Sequence, residues 1–102
     1  MTARYVLAPK AARDFVEIWS YLEKQAGGRV ADRVASSIRE KIAFLAATPG
    51  AGHARPDLTE EDVRFFSVYS YLIVYWPDTR PLQVVSILHG RRDVAGLLKQ
   101  RL

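Results

Sequence analysis

The sequence predicts an α+β fold: an antiparallel sheet packed against an N-terminal helical hairpin, in the order β-α-α-β-β-β plus a short C-terminal helix. Three observations lead there. Apolar residues recur at helical steps through two stretches that end before Thr48, three strand-like runs follow Asp62, and one short capped segment closes the chain. The 102 residues suffice for one compact domain, residues 1–102. Such a domain has a radius of gyration of about 13 Å and buries roughly 60–65% of its unfolded surface.

Arg4 to Ala8 reads as a short strand, rich in Tyr and Val and stopped by Pro9, which cannot donate a ladder hydrogen bond. From Lys10 to about Ala26, the apolar residues Ala12, Phe15, Ile18, Trp19 and Leu22 form one helical stripe. Arg13, Asp14, Glu17, Ser20 and Lys24 fill the other side, so Trp19 is expected in the core and Asp14 in solvent. Gly27 and Gly28 break the period, and Ala31, Val34, Ala35, Ile38, Ile42 and Leu45 restart it on a second helix ending before Thr48, Pro49 and Gly50. A tight helical hairpin follows.

Between Pro49 and Asp62 the period disappears and an exposed loop is expected, with Arg55, Pro56, Asp57 and Leu58 as a structured stop within it. Val63 to Val68, Tyr71 to Trp76 and Leu82 to Leu88 then read as an antiparallel meander, with Pro77 to Pro81 supplying turn chemistry. The runs YLIVYW and LQVVSIL carry too few polar residues to leave one face in water. The hairpin can cover one face, and a partner is the expected cover for the other. Asp93 is placed to cap the last helix, whose Val94, Leu97 and Leu98 share a side and whose Lys99 and Arg101 suit the negative end of its dipole.

Composition narrows the function. No cysteine is present, which removes disulfides, zinc thiolate sites and a thiol nucleophile, and a reducing, cytoplasmic setting is expected. The N-terminal stretch MTARYVLAPKAARDF lacks a signal-like apolar segment, and no window approaches a membrane span. Fifteen Lys and Arg against eleven Asp and Glu give a net charge of +4. That balance suits an acidic partner and falls short of the basic stripe of a dedicated nucleic-acid binder, so direct nucleic-acid binding is not expected. No phosphate loop, metal-ligand cluster or nucleophile elbow occurs, and neither a cofactor nor a metal is expected.

Four stretches in order, APKAARDFVEIWSYL, LAATPGAGHARPDL, RFFSVYSYLIVYW and ILHGRRDVAGLL, resemble the ParE toxins of type II toxin–antitoxin systems, within the wider RelE/ParE superfamily. The resemblance spans almost the whole chain. It implies a small toxin with a sheet behind a helical hairpin, kept inactive in a hetero-oligomer by a cognate ParD-like antitoxin. ParE members are associated with inhibition of DNA gyrase, whereas RelE relatives cut messenger RNA on the ribosome, so the first is the expected function and the second its alternative.

Cutting RNA through its 2′-hydroxyl requires a base, an acid and cations around the phosphate. Arg64, His89 and Arg92 are the set a nuclease would use here, since arginine can clamp a phosphate but stays protonated. His53 and the acids Glu60, Glu61 and Asp62 are the other titratable candidates. RNA-cutting relatives generally carry a Tyr or His near the C-terminus, and AGLLKQRL offers neither. The preferred expectation is therefore a binding toxin with no catalytic residue. Its target surface would comprise His89, Arg91, Arg92, Leu97 and Leu98, and its antitoxin contacts would include Tyr69, Tyr71, Tyr75 and Trp76. Each has a plainer reading beside this one: the arginines as solvated charge at a helix start, the aromatics as core.

Overall fold

A computed structural model describes residues 4–102. Its elements are β1 (Tyr5–Leu7), α1 (Pro9–Ala26), α2 (Gly28–Ala47), β2 (Arg64–Val68), β3 (Tyr71–Trp76), β4 (Leu82–His89) and α3 (Val94–Arg101), with a single 3-10 turn at Pro49–Ala51. The order and type of every strand and α-helix match the reading above, the 3-10 turn replaces the start of the expected loop, and the Cα radius of gyration is 13.2 Å.

The sheet runs β1-β4-β3-β2. β2, β3 and β4 pair antiparallel, with Val68 opposite Tyr71 and Tyr71 opposite His89. β1 adds one parallel pair, Tyr5 against Leu82 through Leu7 against Val84, so the sheet is mixed and mostly antiparallel. β1 ends early because Pro9 opens α1, and the last ladder bond there is Ala8 N–H to Val84 O at 2.9 Å. Past Val84, among the described residues, the outer edge of β4 has no strand beside it. A shift in register between Val74 and Tyr75 leaves Val85 without a partner just there.

Gly27 joins the two helices at φ +94°, a backbone region that side chains make costly, which explains the break in the period. The helical hairpin covers one face of the sheet, where Ala11, Ile38, Ile42 and Leu45 pack on Tyr71, Ile73, Tyr75, Val84 and Ile87. The opposite face differs from expectation. Val63, Phe65, Val74 and Leu88 there lie under Val94 and Leu98 of α3, with Leu58, Trp76 and Leu97 at the margin. α3 and the Arg55–Asp62 loop are short, yet they suffice because this second core is small. The sheet therefore needs no partner to shelter its second face.

Two residues of α1 exchange their expected roles. Trp19 is 37% exposed, its Nε1–H bonding Asp32 Oδ1 at 2.8 Å and so tying α1 to α2. Asp14 is buried, for reasons given below.

Candidate functional site

At the end of the sheet where the β2–β3 turn meets the last residues of β4, α1 stands off the strands and leaves a groove of about 610 Å³. Ile18, Tyr21, Leu22 and Val34 form its helical wall, Tyr69, Tyr71 and Ile87 its sheet side, and Glu17, His89 and Arg92 add charge or polarity. The lining is thus mostly apolar with a few polar groups, the buried Asp14 among them, as expected of a recognition groove.

Tyr69 occupies the hairpin turn at φ +54°, a conformation that costs a bulky residue about 1–2 kcal/mol. Its ring is 63% exposed, and its hydroxyl lies 3.3 Å from Ser37 Oγ on α2. Tyr71 lies beneath it, buried, with His89 edge-on at 5.4 Å between ring centroids and 83° between planes. Burial pushes the Tyr71 hydroxyl above its ordinary range, with neighbouring Tyr21 acting in the same direction, so it remains a protonated donor at neutral pH.

The chain then turns sharply out of β4. Gly90 N–H bonds Ser70 O at 2.8 Å, Arg92 N–H bonds His89 O at 3.0 Å, and Arg91 N–H bonds His89 Nδ1 at 3.1 Å. His89 therefore accepts through Nδ1, and in its neutral form carries its proton on Nε2. Asp93 caps α3 as the sequence indicated, its side chain accepting from Gly96 N–H at 3.1 Å. Arg91 and Arg92 are exposed between these fixed points, and among the described residues neither forms an ion pair. The Asp93 carboxylate is thus engaged by its own helix rather than by either arginine.

The nuclease set does not assemble. Arg64 lies opposite Tyr75, while His89 lies opposite Tyr71, four residues along the same strand. That separation is about 13 Å along the sheet. Arg64 donates instead to Gly52 O at 3.1 Å and borders a different hollow with Glu60, Glu61 and Asp62. His53 is exposed, and its backbone pairs with Phe65. Charge at that end is arranged locally: Arg55 grips Asp57 through two bonds of 3.0 and 2.8 Å, which holds the Asp57 carboxyl below its usual range.

The other expected contact residues divide. Tyr69 and Tyr71 line the groove together. Tyr75 is fully buried, accepting from Gly52 N–H at 2.9 Å and donating to Pro49 O at 2.6 Å, so it is a core residue rather than a contact surface. Trp76 is half-buried against the second core. Leu98 is 1% exposed and fills that same core, while Leu97 packs at its edge, so the C-terminal helix faces inward with its leucines. Leucines four and five positions after a cap mark a docked helix face as readily as a surface, and docking prevailed.

The sequence reading missed the helical wall. Tyr21 stands 61% exposed three residues after Ile18, and Leu22 follows. An aromatic at the margin of an amphipathic stripe was the available signal.

Comparison with known proteins follows the same line. Residues 5–94 match the family described as ParE toxin of type II toxin-antitoxin system, parDE. A solved structure described as the chromosomal ParDE TA system from P. aeruginosa contains a chain similar in fold, with a TM-score of 0.70 at 20% identity over 83% of this chain and 92% of that one. Among curated proteins none matches.

Proposed function

Since the match takes in residues 5–94, the chain belongs to the ParE toxin family of type II toxin–antitoxin systems, and from that premise we propose that it is a cytoplasmic toxin, neutralised by a ParD-like antitoxin, that acts by binding DNA gyrase. The observation that carries this reading is the pairing of an apolar groove with an exposed arginine turn at the same end of the sheet, one that forms no ion pair among the described residues. The groove offers Tyr69, Tyr71 and Tyr21 to an antitoxin side chain, and aromatic residues of this kind dominate the energetics of interfaces. His89, Arg91 and Arg92 form the surface presented to the target, where fixed backbone geometry and unspent positive charge suit an acidic protein patch. The ribosome-dependent nuclease alternative needs Arg64 beside His89 and Arg92, and the sheet holds them apart.

Induction of the chain without its antitoxin is expected to arrest growth. The double substitution Arg91→Ala, Arg92→Ala is expected to abolish arrest while still co-purifying with the antitoxin. Full arrest by a stably accumulated double variant would remove the target assignment.

A further inference from the structure

Among the described residues Asp14 is the one buried charged side chain, and what it holds lies 87 residues away. Both its oxygens engage Arg101, Oδ2 with Nη1 at 2.5 Å and Oδ1 with Nη2 at 3.0 Å, in the bidentate geometry that arginine alone provides. Arg101 Nη1 also reaches Ser86 Oγ at 3.0 Å, and Asp14 Oδ2 takes the Ile87 amide of β4 at 3.0 Å. That amide lies on the part of β4 left without a neighbouring strand once β1 has ended. One carboxylate therefore joins α1, the open edge of β4 and the last turn of α3.

α3 depends on such a tie. Its eight residues fall below the length at which an isolated helix persists in water. Its apolar anchors, Val94 and Leu98, secure its first turn and its middle. Arg101 ties down the end. The start of α3 is the Asp93 cap, and the arginine turn is strung between that cap and His89. The family match stops at Val94, so Arg101 lies beyond it while Asp14 lies within it.

We propose that Asp14 and Arg101 are positioning residues that clamp α3 and thereby hold the Gly90–Asp93 turn in the shape that meets the target. The proposal rests on the reading of that turn as the target surface, and its test separates the two. Amide hydrogen exchange is measured on the parent, on Arg101→Gln and on Arg101→Lys, which keeps the charge without the fork. In Arg101→Gln the amides of Arg92, Leu97 and Leu102 are expected to exchange at least about tenfold faster, while Ala31 and Thr48 of the helical hairpin stay as in the parent. Arg101→Lys restores part of the protection and, should the glutamine variant fail to accumulate, carries the same comparison alone.

Potency in growth arrest is expected to fall about tenfold in Arg101→Gln with antitoxin affinity held within about threefold, a split that general loss of stability does not produce. Unchanged exchange at Arg92 and α3, or acceleration spread evenly over all elements, overturns the clamp. Faster exchange with undiminished potency overturns its positioning role. A parent that never arrests growth refutes the target reading, and the exchange comparison still decides the clamp.

Discussion

Tyr75 and Tyr69 stand six residues apart and behave oppositely. The Tyr75 hydroxyl satisfies Gly52 N–H and Pro49 O inside the protein, so Tyr75→Phe leaves the buried Gly52 N–H and the partly buried Pro49 O unpaired and is expected to cost about 1–3 kcal/mol in denaturant unfolding. Burial raises its hydroxyl above the ordinary range. A raised value means the neutral form is favoured in the folded state. Its contribution is complete below about pH 10, the unfolded value, and disappears as pH climbs through the folded one. Parent stability is therefore expected to decline in alkali, and the Tyr75→Phe decline to be shallower, as unfolding curves across that range will record. Tyr69 carries strain and no burial. Tyr69→Gly removes a cost of about 1–2 kcal/mol and adds a glycine entropy penalty of about 0.5–1, so stability is expected to hold or rise slightly. Antitoxin affinity, by titration calorimetry, is expected to fall in the same variant. A clear loss of stability with affinity retained contradicts the assignment of Tyr69 to the groove.

Among the elements, the helical hairpin was the most legible in the sequence, because both its periodicity and its break have local causes. Gly27 needs a positive φ, and Gly28, the first residue of α2, does not. Gly27→Ala is expected to lower stability by about 1–2 kcal/mol, and Gly28→Ala, with open space around its Cβ, to raise it by about 0.4–1 kcal/mol. Thermal melts of the two neighbours are expected to shift in opposite directions. Asp14 was misread although its position was informative: it follows Ala11 by three residues and precedes Ile18 by four, on the buried line itself. Its partner is 87 residues distant, where no local pattern reaches. Trp19 failed in the reverse sense, since an indole with its N–H satisfied by Asp32 is stable at a helix margin. The parallel pairing of β1 likewise depends on a contact between the two ends of the chain.

At the scale of the whole molecule, apolar strands suggested a sheet that requires a partner, and the protein supplies its own cover through α3 and the Arg55–Asp62 loop. An eight-residue helix and one loop suffice to roof a small second core when the helix end is tied by an ion pair. What remains for others is narrower: a groove at one end of the sheet and the arginine turn beside it. The residues of that turn were legible as a motif, HGRRD, but the groove that adjoins it depends on α1 and the β2–β3 turn meeting in space. The account's central claim is that this surface inhibits by binding, without chemistry of its own. The most direct measurement is DNA supercoiling by purified gyrase in the presence of the purified toxin and of its Arg91→Ala, Arg92→Ala variant. The account predicts inhibition by the toxin, at least about tenfold weaker inhibition by the variant, and relief on adding antitoxin. Undisturbed supercoiling at toxin concentrations that arrest growth, or equal inhibition by the double variant, contradicts it.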